Sequence, residues 1–299
     1  MRANLAGLCF SLILGTAICS AQEPAPNPSI SSTQNVATAT QPDSTAVYCS
    51  GFITDHKVPD EVQVISGEQS NYKVWFARGD YVHINRGSNH GIRVGDRFNV
   101  TRPISDPLKR TWFEWQTKLL KAMGTQYSDI GVVQVANVLP NVSTARVIFS
   151  CNPMQRGDII RPYADRPTGP FKPASQFDHF APVSGKPVAM LVAANSEAQV
   201  AGMDSTVYVN LGTGQGVKIG DYVRIFRYQG STSEVAPTTK DYQYKIFGFG
   251  SAPQRYTWKD LPREVLGEGI VLNASTNSST VFITYTTAEV YAGDYVELE

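Results

Sequence analysis

The sequence has no surplus of charge of either sign: 26 Lys and Arg stand against 26 Asp and Glu in 299 residues. A chain without a net field does not gather nucleic acid or an anionic surface by long-range electrostatics. No basic stretch interleaved with aromatics makes up for it, since Lys109-Arg110 beside Trp112 is too short for a stacking platform. Histidine is scarce. The four, His56, His83, His90 and His179, are scattered, and none pairs with another at metal-ligand spacing. No Ser stands in a Gly-x-Ser-x-Gly elbow. Asp60-Glu61 and Glu114/Asp129 have no helical or strand spacing that forces two carboxylates to face each other. Neither a metal nor another cofactor is therefore expected.

Long apolar runs are lacking too, apart from Leu5–Ile18, which falls short of the roughly 20 residues a membrane helix needs. With Arg2 before it and Cys19-Ser20-Ala21 after it, this run has the layout of a secretory signal peptide, residues 1–21, cut after Ala21. Lipoprotein processing at Cys19 is the lesser alternative, because Ile18 stands where a small residue is wanted. The expectation is an exported protein, periplasmic or otherwise at the cell envelope, with no transmembrane segment after signal removal. Cysteine usage agrees. Cys9 and Cys19 fall in the leader, which leaves Cys49 and Cys151 as an even pair in an oxidising compartment, expected to form a disulfide.

What is there in quantity is β-type sequence, and it is written twice. Residues 22–45 have no aromatic and are dense in Pro, Ser, Thr and Ala, and so read as a disordered tether. Residues 163–186 read as a Pro-rich linker, punctuated by Phe171, Phe177 and Phe180, which suggest that part of it docks. The blocks on either side, 46–162 and 187–299, match. "YVHINRGSNHGIRVGDRF" from Tyr81 returns as "TVYVNLGTGQGVKIGDYV" from Thr206, and the closing Gly157-Asp158 returns as Gly293-Asp294. Short alternating runs between Gly, Asn and Asp turns indicate two tandem small antiparallel β-barrel or sandwich domains, a mainly β fold. The inserts differ. Leu108–Met123 has an apolar helical face closed by Gly124, while Ser231–Leu261 is rich in Tyr.

The repeated glycines invite a chemical reading, but the spacings fail. A phosphate loop needs a Lys-Ser/Thr opening a helix, and a calcium loop needs several carboxylates, where each copy offers one Asp. The structural reading assigns Gly91, Gly95 and Asp96, with Gly216, Gly220 and Asp221, to turns. Gly supplies backbone freedom and Asp caps N–H groups. Ile92, Val94, Val217 and Ile219 are expected to point into the core.

Val82–Arg102, Gly131–Val138 and Gly157–Ile160, with Val207–Arg227, Gly269–Asn273 and Gly293–Val296, carry a pattern that resembles the C-terminal β-barrel domain of the flagellar assembly protein T family. It is similar, too, to the envelope domain found beside LysM modules. The resemblance implies a small barrel used for assembly at the cell envelope, with no catalytic residues to carry over. The expected function is a non-enzymatic envelope binding or assembly module whose partner is an envelope protein or a cell-wall polymer, not nucleic acid. The inserts supply the candidate partner surface: Trp112, Phe113, Trp115, Tyr242, Tyr244, Tyr256 and Trp258. The rival readings are a cell-wall or polysaccharide hydrolase with a site between the domains, and a purely structural spacer.

Overall fold

The computed structural model describes residues 38–105, 107, 111–173, 177–195, 198–228, 245–246, 249–250 and 262–299. The chain opens on a short helix, α1 (Ser44–Tyr48), and a strand, β1 (Phe52–Thr54). The first unit follows with β2 (Val64–Gly67), β3 (Tyr81–Ile84), β4 (Arg97–Pro103), α2 (Gln116–Met123), β5 (Thr125–Val138), β6 (Ser143–Ser150) and β7 (Ile159–Pro162). The second holds β8 (Val188–Ala194), β9 (Val200–Ala201), β10 (Thr206–Val209), β11 (Tyr222–Arg227), β12 (Lys245–Ile246), β13 (Phe249–Gly250), β14 (Glu264–Ala274), β15 (Ser279–Thr286), β16 (Val290–Tyr291) and β17 (Tyr295–Leu298).

The strand orders are the same. The first sheet runs β2-β3-β6-β5-β4-β7, with β1 added against β5; the second runs β8-β10-β15-β14-β11-β17 and closes into a barrel. The first curls towards closure through a bridge between Gln63 and Ile159. Even the lesser pairings recur. The isolated bridge Phe76–Met154 becomes the β9–β16 ladder, with Ala201 in the place of Phe76 and Val290 in the place of Met154. The fold is mainly β, as the sequence suggested, and the two halves share one topology.

Alternation builds each core. Val82 and Ile84 are buried on β3 while Tyr81 is exposed, and they meet Val100, Val133 and Val147 in the first core. Val207, Val209, Val223, Ile225, Val271, Val281 and Val296 form the second. Such period-2 burial places every other residue of a strand on the inner face.

Between strands the chain turns by one device. Asp80, Asp96 and Asp158 each accept a hydrogen bond at Oδ2 from the backbone N–H three residues earlier, and Asp221 and Asp294 do the same in the second copy, all at 2.7–2.8 Å. The glycine before each Asp has φ between 89° and 102°, a left-handed region where a side chain is strained. Where Asp80 would recur, Ser205 accepts from Gly202 through Oγ, and Asp204 itself adopts φ 68°. Gly91 and Gly216 close 3-10 turns at φ 81° and 88°.

Three expectations are corrected. Helix α2 starts at Gln116 rather than near Leu108, because Thr111–Trp115 turn aside to place Trp112 and Phe113 elsewhere. Val94 and Ile219 are exposed, not inward, because both occupy the outer corner of the Gly-Asp turn; Ile92 and Val217 do pack inward. Part of the stretch read as tether is fixed in place: Ala39 is buried, Thr40 N–H donates to Thr284 O, and Asp43 caps α1. Residues 1–37 lie outside the described residues.

Two kinds of glycine can be told apart by substitution. At Gly212 a Cβ would sit 2.3 Å from Ser275 O, whereas at Gly216 it would meet nothing within 4 Å but carry a positive φ. Gly216→Ala is expected to cost about 1–2 kcal/mol in strain. Gly212→Ala is expected to cost more, about 3 kcal/mol, since backbone must move. Urea unfolding of the two variants checks the ranking.

Candidate functional site

Several residues that differ between the copies lie where the two units meet. A strap from Asp43 to Thr54 lies along the seam. Val47 packs on Ile270, Leu272 and Phe282 of the second barrel. Ser278 Oγ donates to Ile53 O at 2.7 Å, and Thr280 Oγ1 donates to Gly51 O at 3.1 Å. Cys49 is bonded to Cys151 at the end of β6, so the disulfide ties this strap to the first unit. Tyr208 takes the place that His83 has in the first copy. His83 is half-buried beside Thr144, whereas Tyr208 is fully buried, its hydroxyl 2.9 Å from both Ser50 O and Asn195 Oδ1. Burial pushes the Tyr208 phenol well above its usual range, so it stays neutral.

The first insert crosses to the second barrel. Trp112 and Phe113 pack against the second core cluster, and Leu120 and Met123 of α2 meet Val192, Ala193 and Tyr208. The buried Gln116 holds both sides: Oε1 accepts from Trp112 N at 2.7 Å and Nε2 donates to Val192 O at 2.8 Å. Of the seven candidate partner residues, Trp112 and Phe113 are thus packing residues of the seam. Trp115 remains 58% exposed. Tyr242, Tyr244, Tyr256 and Trp258 lie outside the described residues.

The stretch read as a linker is pinned along both units. Arg166 forks onto Asp129, with Nη1 to Oδ2 at 2.6 Å and Nη2 to Oδ1 at 2.7 Å, and Asp129 Oδ2 also accepts from Gly51 N. Asp129 is therefore engaged in structure, while Glu114 is exposed. Further on, Lys172 bridges Glu268 and Glu299, and Arg263 donates to Ala181 O, Pro182 O and Glu297 Oε1. Burial opposes ionisation of Glu297, but the hydrogen bonds from Arg263, Ser184 N and Arg224 outweigh it and hold its carboxyl below the usual range.

No family model and no curated protein matches this chain. Gly91, Gly95, Asp96, Gly216, Gly220 and Asp221 all lie in the repeated turns. Among the described residues no three His, Cys, Asp or Glu are placed to hold a metal ion, and no helix is long and apolar enough to cross a membrane.

One exposed patch went unread in the sequence. Between β2 and β3, Tyr72 is 92% exposed, Val74 61% and Trp75 66%, directly before the buried Phe76. The equivalent stretch of the second copy, about Ala194–Asp204, has no aromatic residue. That difference between copies was the available signal.

Two measurements test the seam. Removing the disulfide as Cys49→Ala/Cys151→Ala frees a loop with a separation of 102 residues and should cost about 4–5 kcal/mol by the chain-entropy model, read from denaturant unfolding. For Glu297 the depressed folded value means its stabilisation is complete above the unfolded carboxyl range, about 4.3, and is lost as pH falls through the lower folded value. Glu297→Gln should therefore melt lower than the parent at pH 7, by about 3 kcal/mol equivalent for a broken buried pair. That gap should shrink below about pH 4.

Proposed function

We propose that this protein is an exported, non-enzymatic binding or assembly module of the cell envelope, and that its partner is an envelope protein or a wall polymer. The observation that carries the reading is the aromatic loop Tyr72–Trp75, exposed between two β-strands and absent from the sister copy. Large exposed aromatics are the side chains that anchor interfaces. The disulfide fits an oxidising compartment, and the signal-like leader supports export. The resemblance to the flagellar-assembly and LysM-associated barrel domain points the same way. Asp129, the one carboxylate of the pairs weighed for a hydrolase that is buried, holds an arginine fork.

Crosslinking capture from cell envelopes tests this. Tyr72→Ala/Trp75→Ala should reduce capture at least fivefold with a Tm within about 2 °C of the parent, because both side chains are solvent-exposed. Trp112→Ala should instead lower the Tm and leave capture by the folded fraction intact. Full capture by the Tyr72/Trp75 variant would remove the loop as the contact surface.

A further inference from the structure

Arg161 on β7 stands out among the basic side chains of the seam. Its guanidinium carbon lies 4.9 Å from the centre of the Phe52 ring, and Phe52 is itself stacked on Tyr127. The ring covers one face of the guanidinium. Among the described residues no hydrogen bond or ion pair engages its N–H groups, five donors in a planar fork. The nearest carboxylate that acts on it, Asp129, is already held by both arms of the Arg166 fork. Burial, and then the charge of Arg166, push the Arg161 guanidinium below its usual range. This cation therefore sits partly desolvated and next to another cation, without its own counter-charge.

Arg161 opens into a cleft of about 270 Å³ to which both units contribute. Thr54, His56 and Lys57 come from the end of β1 and the loop after it, and Asn273 and Ser275 come from the turn between β14 and β15. His56 and Lys57 pair with Asp55 and Asp60 beside them. Both basic side chains are well exposed, and such surface pairs are weak and exchangeable. The side chains of Asn273 and Ser275 make no hydrogen bond among the described residues, so their N–H and O–H groups are free to donate one.

We propose that this cleft is a binding site for a small oxyanion-bearing ligand, a carboxylate or phosphate gripped by the Arg161 fork and completed by Asn273 and Ser275 from the second unit. A planar fork matches the paired oxygens of either group, and charge-assisted bonds of this kind are the strong ones. The volume lies just below the range of ordinary small-molecule pockets, about 300–1,000 Å³, so the cleft takes an acidic head with few further atoms, or the acidic end of a longer molecule. The site is separate from the Tyr72–Trp75 loop, and neither reading depends on the other. Equivalence between the copies argues for a specific device: in the second unit the position of Arg161 is taken by Glu297, an acid already held by Arg263 and Arg224.

The test is an NMR titration of the exported chain with inorganic phosphate and, separately, with succinate, at ionic strength held constant with chloride. Saturable shifts of the Arg161 Nε–H and of the Ser275 amide are expected with at least one of the two, and the stronger arm names phosphate or carboxylate. Arg161→Gln should weaken that binding more than tenfold. Asn273→Ala, which leaves the Phe52 stack alone, should weaken it two- to fivefold and serves if Arg161→Gln does not fold. Linear, unsaturable shifts with both anions, or unchanged affinity in the folded variants, would overturn the proposal.

Discussion

A curled sheet closes only if its last strand meets its first, and in both copies the residue at that junction is a buried aspartate. The backbone oxygen of Asp158 accepts from Val64 N on β2, and that of Asp294 accepts from Leu191 N on β8. The carboxylate of each accepts from the turn that launches the closing strand, and each also takes both arms of an arginine from the end of β4 or β11. Arg102 Nε and Nη2 reach Asp158 at 2.7 and 2.9 Å; Arg227 reaches Asp294 at 2.7 Å twice. One residue thus fastens three strands. Burial pushes Asp294 up from its usual range, against the pull of Arg227, which marks how much the site depends on the arginine to keep a charge there. Removing one partner of such a pair strands the other in a dry interior, at a cost of about 3–5 kcal/mol.

The same residues join the first and last strands in both copies, closing the second sheet and curling the first, and the divergence described above lies at positions outside them. Those positions account for the seam. Tyr208 replaces His83 and reaches the strap; the insert of the first unit, with Trp112, Phe113 and α2, covers the second. The turn glycines show the same asymmetry. Gly95 has open space around it, while its counterpart Gly220 is approached by Gly169, where a Cβ would lie 2.4 Å from the Gly220 Cα. A duplicated unit therefore becomes one body by recruiting the variable side of each copy against the other.

The repeat, the β class, the disulfide pair and the turn positions were legible because each is local or periodic. Alternation marks a strand within a few residues, and a Gly-Asp pair marks a turn within four. What was not legible is what needs distance. Nothing near Arg102 says that its partner is Asp158, and nothing near Trp112 says that it packs on a barrel whose strands begin some seventy-five residues later. Helical periodicity over Leu108–Met123 was real as a pattern of apolar residues, yet Trp112 and Phe113 serve packing against the other unit rather than one helical face. Val94 and Ile219 misled for the opposite reason: strand alternation was extended into a turn, where it has no meaning.

The repeated motif also limits where function can lie. Its glycines are fixed by positive φ or by close backbone contact, and its aspartates each cap a backbone N–H, with Asp158 and Asp294 taking an arginine fork as well. Positions held that way in both copies serve the geometry of the turn. Under the proposed reading, recognition falls on residues that one copy has and the other lacks. Tyr72 and Trp75 meet that condition on the surface. Arg161, unpaired where the second copy has the fully engaged Glu297, meets it in the cleft between the units.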